Sequence, residues 1–463
     1  MLSPRAIPKF FALVVVSTVA SVAPAEPPTY AEILSKADAI AAEYLRKPGA
    51  VGLSIGVAQR GEVVVAKAYG LADAEFDVPA DKDTMFRIGS VTKQFTAAAI
   101  MRFVEQGKVS LDDDLGKYVP DFPMQGNAVT VRQLLNHTSG IPSYTSLGEE
   151  WAKLQPLELT HEEMLALVKG KPFDFKPGEK WAYNNTAYYM LGMIIEKISG
   201  VTYAQHMQNE FFTPLKLGRT RYDSNSTLMK NRAQGYTLQD GEIVNDAPLG
   251  MSQPYAAGSL VSTGEDLVRW SMAIASGKVV RPESFTLMTT AAILPDGEST
   301  HYGFGLEVSE WEGRPCIRHG GGIFGFNSML MWLPEEDLHI AVISNGEPIR
   351  SGRIANALAR AAVGIEKVVA ANVPITPEAL KRVIGKFKLE EMDVKIWEEE
   401  GKAMVQADGQ PAFAIQWQGP EVGGGNEFRA SFDTEVRMVF ADDGQSFTLF
   451  QGGGQVKAKR IVE

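Results

Sequence analysis

The order of β-type and helical stretches limits this chain more than any other feature. Val51-Gly52-Leu53-Ser54-Ile55-Gly56-Val57 and Val63-Val64-Val65-Ala66 flank Arg60-Gly61, which reads as two strands joined by a tight turn. Comparable runs return only at Tyr302 to Val308, Phe326 to Leu333 and Leu338 to Ser344. In between, helical spacing dominates: Leu191, Ile194, Ile195 and Ile198 recur at i, i+3, i+4 and i+7, and Gly200 supplies a stop. Further helices are expected from Ala31 to Arg46 and from Ile354 to Val363. An early hairpin, late strands and helices between them suit one antiparallel sheet fed from both chain ends and covered by helices. This is an α+β architecture and not an alternating β-α-β chain; no Gly-x-Ser-x-Gly is read in the sequence, so an α/β-hydrolase with its nucleophile elbow is not expected.

At Val373-Pro374-Ile375-Thr376-Pro377 the character changes. One short helix is followed by short β-type runs, among them Val394 to Trp397, Phe413 to Trp417, Val436 to Phe440 and Phe447 to Phe450, separated by Gly-rich or Asp-Gly turns. The tail therefore reads as a small all-β domain, barrel or sandwich. Trp397, Trp417, Phe440 and Phe450 are expected in its core, Glu398-Glu399-Glu400 in a solvated turn, and the two triple-glycine runs at loop tips. The expected organisation is a leader over 1–25, a main domain over 26–370 and the β domain over 375–463.

The leader is argued from Arg5 and Lys9, which precede the apolar run Phe10-Phe11-Ala12-Leu13-Val14-Val15-Val16 and the small-residue site Ala23-Pro24-Ala25. Cleavage is expected after Ala25. The apolar run is shorter than the ~20 residues of a spanning helix, so no stable membrane anchor is expected, and the product belongs in a periplasm or outside the cell. A single cysteine, Cys316, excludes an internal disulfide and a cysteine-built metal cluster; it reads as a small packing residue. The six histidines form no His-Glu-x-x-His pair, and no metal or organic cofactor is expected. Lys and Arg number 45 against 56 Asp and Glu, a net charge of −11. Nucleic acid is then a poor partner, which leaves a small molecule or a peptide.

Three short motifs carry chemistry. Ser90-Val91-Thr92-Lys93 follows Gly89 and opens an apolar helical stretch from Phe95 to Val104 that Gly107 ends. Positions i and i+3 share a helix face, so the Ser90 hydroxyl and the Lys93 amine can converge. A serine needs a base to become a nucleophile, and a lysine serves if burial lowers its pKa. Alone, Ser90 reads equally as a helix cap. Tyr183-Asn184-Asn185 precedes the helix ending at Ser199. A phenol relays protons if a neighbouring ammonium depresses its pKa, and a carboxamide can hold a lysine or a substrate amide; alone, the triplet is an aromatic beside an N-cap. His319-Gly320-Gly321-Gly322 stands just before the strand from Phe326. Its glycines would let a substrate backbone approach, and its amides could receive an oxyanion; alone, it is a glycine turn. His137 reads as structural.

In this order, Ser-x-x-Lys, Tyr-x-Asn and His-x-Gly resemble the three signature motifs of the serine β-lactamase and penicillin-binding-protein superfamily. The nearest branch is the class C-like one, with its D-Ala-D-Ala carboxypeptidases, D-aminopeptidases and family VIII-type esterases. The flanking residues agree: Phe86-Arg87-Ile88-Gly89, Leu134-Leu135-Asn136-His137-Thr138-Ser139-Gly140-Ile141-Pro142, Pro177-Gly178-Glu179 and Gly303-Phe304-Gly305. The resemblance runs from about Ala31 to Val363, and the tail is similar to an accessory C-terminal domain of such relatives. It implies a β-lactamase-like sheet covered by helices and an acyl-enzyme hydrolase: a peptidase or amidase, or a carboxylesterase. A binding protein without turnover is the reading from another class. The resemblance further implies Ser90 as nucleophile, Lys93 as its proton acceptor and Tyr183 as proton shuttle. It implies substrate contacts from Asn185, His319 and Gly321, and an oxyanion hole from the amides of Ser90 and Gly322. His319 departs from the Lys-Thr-Gly of true β-lactamases. A mostly neutral histidine anchors a substrate carboxylate less well than a lysine, so efficient β-lactam turnover is not implied.

Overall fold

The early hairpin forms where the sequence places it. Arg60 and Gly61 take φ of 53° and 78°, paired left-handed values that match a tight turn to the twist of its strands, and Gly52–Gln59 runs back against Glu62–Asp73. Leu338–Ser344 pairs with the other edge of Gly52–Gln59, from Leu53 opposite Ser344 to Gln59 opposite Leu338. The two ends of the main region thus meet at the middle of one antiparallel sheet, in the order Val78–Pro79, Glu62–Asp73, Gly52–Gln59, Leu338–Ser344, Phe326–Leu333, Arg314–Ile323 and Glu307–Trp311. The structure is a computed structural model and describes residues 28–346, 349–365, 373–389, 392–419, 426–431, 433–451 and 454–461. The expected leader lies outside these, as does most of the expected domain boundary.

Gly52–Gln59 and Leu338–Ser344 are buried along their whole length because both faces of the sheet are covered. On one face Leu53, Ile55, Val57, Ile340 and Val342 pack with the helices Tyr30–Tyr44 and Ser351–Val363. Each such side chain contributes about 1.5–3 kcal/mol of burial. The other face meets the helix Gly264–Ala275 at very close range. A Cβ on Gly56 would lie 2.0 Å from the Gly264 carbonyl oxygen, and Ser54 Oγ accepts the Gly264 amide at 2.9 Å. Beyond that helix the middle of the chain packs around Thr92–Glu105, buried at every position from Thr92 to Met101, as befits a helix enclosed on all sides.

Two late stretches differ from the sequence reading. The strand expected from Tyr302 to Val308 begins only at Glu307 and ends at Trp311. Gly303-Phe304-Gly305 turns instead, because Gly305 takes φ of 71° and a Cβ on Gly303 would strike the Met288 carbonyl at 2.1 Å. His319-Gly320-Gly321-Gly322 is no turn: it lies inside the strand Arg314–Ile323, together with Cys316. The helical middle also holds β pieces too short to show a period of two, the three-stranded set Phe86–Arg87, Leu260–Ser262 and Arg221–Tyr222, and the hairpin Tyr236–Gln239 with Glu242–Asn245.

The tail is a closed barrel of eight antiparallel strands from Gly385 to Arg460, each beside its neighbour in sequence and closed by Phe387 opposite Arg460. Its inside is filled by Phe387, Val405, Trp417, Phe428, Phe440 and Phe447, among others. Trp397 and Phe450, expected in this core, lie on the other side of the wall. Strand side chains alternate, and buried Ile396 puts Trp397 outside, where Lys395 lies 5.4 Å from its ring; the Arg437 guanidinium lies 3.9 Å from the Phe450 ring. Glu398, Glu399 and Glu400 are exposed, as expected. Gly423-Gly424-Gly425 lies outside the described residues, while Gly454 begins a strand.

Candidate active site

Ser90 lies in a single 3-10 turn, Gly89–Val91, that leads directly into Thr92–Glu105. It does not cap the helix with its side chain. Its hydroxyl instead stands 3.0 Å from Lys93 Nζ, one turn further on, as the i, i+3 spacing requires. The turn touches Arg314–Ile323 backbone to backbone: a Cβ on Gly89, whose φ is 48°, would lie 3.0 Å from the Gly322 amide nitrogen. A Cβ on Gly321 would lie 2.1 Å from the Ile88 carbonyl oxygen and 2.3 Å from Ser328 Oγ. Gly321 is therefore glycine because the Ser90 turn is pressed against it. Gly322 faces the other way, exposed and with nothing near its missing side chain.

Lys93 is 0% exposed. Its Nζ donates to Asn185 Oδ1 at 2.8 Å and to the Ala257 carbonyl at 2.8 Å, besides facing Ser90 Oγ. Burial drives its pKa well below that of a free lysine, since no carboxylate partners it to repay the lost hydration. Asn185 begins the helix Asn185–Ser199, with Asn184 as N-cap accepting the Ala187 amide. The Asn185 amide group is held in turn: Nδ2 donates to Thr145 Oγ1 at 3.0 Å, and the backbone N–H donates to Ser143 Oγ at 3.2 Å. Ser143, Thr145 and the Ala257 carbonyl are parts of the site that sequence reasoning missed. The two hydroxyls follow directly on the Asn136 to Pro142 stretch, a usable signal, whereas a backbone carbonyl leaves none.

Tyr183 places its ring 4.7 Å from Lys93 Nζ. The lysine lies over the ring and does not depress the phenol as the sequence reading supposed. The Tyr183 pKa is raised by burial, with the Ser90 hydroxyl pulling it the other way, and the phenol stays protonated at neutral pH. Because 36% of Tyr183 is exposed, water limits the size of that rise. His319 also differs from expectation. It is 2% exposed; its Nδ1 donates to the Gly320 carbonyl at 2.6 Å, which leaves Nε2 to accept from the Tyr302 hydroxyl at 2.8 Å. Burial brings it down to about 4, against an opposing pull from Glu307. His319 is thus a neutral ring with both nitrogens engaged, and it offers no cation at the strand edge.

The other candidates sort quickly. Gly-x-Ser-x-Gly, the nucleophile-elbow pattern of α/β-hydrolases, does occur, at Gly52-Leu53-Ser54-Ile55-Gly56, and the sequence reading passed over it. Ser54 is mid-strand, 2% exposed and bonded to the Gly264 amide, so it presents no nucleophile. Cys316 is wholly buried. A surface cleft of about 540 Å³ near Lys108 and Leu111 contains none of the three motifs; its Arg132 and Lys117 are paired with Asp112 and Asp113. Among the described residues no three of His, Cys, Asp and Glu converge as a metal site would need, and no helix is long and apolar enough to cross a membrane.

Comparison with known proteins gives the same frame. The Beta-lactamase family pattern matches residues 37–364. Protein flp of Staphylococcus aureus is 28% identical over 319 residues, covering 66% of this chain and 62% of that protein, so the match spans less than two thirds of that relative. Penicillin-binding protein 4* of Bacillus subtilis is 26% identical over 433 residues, covering 87% of this chain and 93% of the relative. Among solved structures, the octameric penicillin-binding protein homologue from Pyrococcus abyssi superposes with a TM-score of 0.66 at 27% identity, over 92% of this chain and 99% of its own. The D-amino acid amidase of Ochrobactrum anthropi gives 0.61 at 26% identity, over 72% and 97%. With a motif-bearing region matched from end to end and the tail covered in the longer relatives, this chain belongs to the Beta-lactamase family, within the serine β-lactamase and penicillin-binding-protein superfamily.

Proposed function

We propose that the chain is a serine hydrolase that cleaves an amide or an ester through a covalent acyl-enzyme on Ser90. The observation that carries this reading is the environment of Lys93 Nζ. Two of its three oxygen neighbours, Asn185 Oδ1 and the Ala257 carbonyl, can only accept. A neutral amine spends its two hydrogens on them and turns its lone pair to the third, the Ser90 hydroxyl at 3.0 Å. Burial favours that neutral form.

Ser90 Oγ adds to the substrate carbonyl carbon as its proton passes to Lys93 Nζ. The amides of Ser90 and Gly322 receive the oxyanion. The proton then reaches the leaving nitrogen or oxygen through the Tyr183 hydroxyl, the bond to the leaving group breaks, and an acyl ester remains on Ser90. Water attacks that ester, its proton returns along the same path, and the acid and the Ser90 hydroxyl are regenerated. The neutral, fully engaged His319 supplies no fixed charge for a substrate carboxylate. This favours neutral amides and esters over β-lactams, in keeping with the amidase activity named for the Ochrobactrum anthropi relative.

Ser90→Ala should reduce turnover by about four to six orders of magnitude with the fold unchanged. A fluorophosphonate should add one phosphonyl group, at Ser90. A panel of p-nitrophenyl esters, D-amino-acid amides, D-Ala-D-Ala peptides and nitrocefin then ranks the substrates by kcat/KM. Full turnover in Ser90→Ala, or labelling elsewhere, ends the acyl-enzyme reading; nitrocefin as best substrate ends the argument from His319.

A further inference from the structure

His137 is a buried titratable group that the mechanism above does not use. It follows the short helix Val131–Leu135 and its cap Asn136, in the left-handed conformation with φ of 63°. That position after a helix favours glycine or asparagine, and residues with a side chain take it uncommonly. The ring is wholly buried, yet its Nε2 has no hydrogen-bond partner among the described residues. The tautomer is fixed, because the Asn184 backbone N–H donates to Nδ1 at 3.1 Å, so the hydrogen sits on Nε2 and goes unanswered. Neither the strained backbone nor the orphaned donor helps the fold.

What His137 does provide is a bracket around one residue. Its carbonyl oxygen accepts the Ala182 amide at 3.1 Å, and its ring accepts the Asn184 amide at 3.1 Å. Tyr183 is the residue between, and the two rings stand 4.5 Å apart. Residues 182–184 lie in no helix or strand, so these two bonds do for Tyr183 what a ladder does for a strand residue. Asn184 and Asn185 follow immediately, and Asn185 holds Lys93.

We propose that His137 is a positioning residue that fixes Tyr183 against the Ser90–Lys93 pair by clasping the peptide groups on either side of it. This rests on the acyl-enzyme reading, in which Tyr183 passes the proton to the leaving group. The ring is useful as an acceptor at Nδ1, and Nε2 is expendable. Burial holds the ring neutral, which keeps the Nδ1 lone pair available.

The test uses His137→Gly, which suits the left-handed backbone but lacks the acceptor, and His137→Asn, which suits it and places an oxygen near the Nδ1 position. His137→Gly should fold and lose about 10- to 100-fold in kcat with KM within about threefold, the size of effect that a displaced catalytic group gives. His137→Asn should stay within about threefold of wild type, and in a Tyr183→Phe background His137→Gly should cost little more. If the glycine variant fails to fold, His137→Gln, with its oxygen at the Nε2 end, takes its place with the same expectation. Wild-type kcat in the folded glycine or glutamine variant overturns the proposal, and so does an undiminished loss in the Tyr183→Phe background. Ser90→Ala separates this from the parent reading: if that variant keeps turnover, the mechanism falls. The clasp is then judged by a crystal structure of His137→Gly, where an unmoved Tyr183 refutes it.

Discussion

The family-matched region and the barrel fill their interiors with different materials. From Gly52 to Ser344 the sheet and helices enclose Lys93, His137 and His319 along with the apolar core. The barrel encloses Phe387, Phe428, Phe440 and Phe447, and its buried polar residues Gln418, Asn426 and Glu427 all have polar partners. Burying an unpaired amine or a singly satisfied imidazole costs stability. The first region carries that cost where the three motifs meet and also elsewhere, at His206 Nε2 and Trp311 Nε1 for example, whereas among the described residues of the barrel no buried side-chain polar atom lacks a partner. Chemistry and stability are thus assigned to different parts of one chain, and the assignment can be attacked from either side.

The largest effect should come from Lys93→Met, which keeps the volume of the side chain and removes the amine. Turnover should fall by about 10³-fold or more, while the unfolding free energy of the family region should change little, since relief from burying the amine is offset by Asn185 Oδ1 and the Ala257 carbonyl losing their donor. The sign in pH follows from the lowered folded pKa. Below the unfolded lysine value the unfolded chain binds a proton that the folded chain has released, so wild type is penalised there. The penalty shrinks as pH rises towards 10.5, and Lys93→Met should lack that slope. Urea unfolding at pH 7 and 9 measures it; a destabilised methionine variant would mean that Lys93 is structural.

From the other side, Phe440→Ala should cost the barrel about 3–5 kcal/mol, while Trp397→Ala, outside the wall, should cost less than about 1 kcal/mol. Neither should change kcat/KM for a small ester. A loss of turnover in Phe440→Ala that tracks the barrel's unfolding would show that the family region depends on the tail.

What could be read from sequence was local. The hairpin was visible because Arg60-Gly61 fixes its turn, and Ser90 with Lys93 because a helix brings i and i+3 together whatever lies around it. The strand Arg314–Ile323 was missed because its three glycines carry no β signal. Gly321 is glycine for a reason that lies about 230 residues away in the chain, at Ile88, whereas side chains on Gly320 and Gly322 would meet no such contact. Likewise, Ala257 holds Lys93 through a backbone oxygen that any residue would present, and Tyr302 reaches His319 only once the sheet has formed. The misplacement of Trp397 had a cheaper remedy, since the period of two from Val394 and Ile396 already points it outward.

The finest test uses protons. All six histidines precede Gly364 and none lies in the barrel. Four of them, His137, His206, His319 and His339, are held below the ordinary value, chiefly by burial. For His319 the folded value is about 4 against 6.5. Between these values the unfolded chain binds the proton and the folded chain does not, so stability rises with pH across that window and is lost as pH falls through it. At pH 5 the share from His319 alone is on the order of 2 kcal/mol. Urea unfolding at pH 7 and pH 5 should therefore weaken the transition of the family region and leave that of the barrel nearly in place, and His319→Gln should remove part of the difference. Equal shifts in both transitions would erase the contrast between the two interiors. A full slope retained in His319→Gln would move its origin to the other buried histidines, with His137 the nearest to the site.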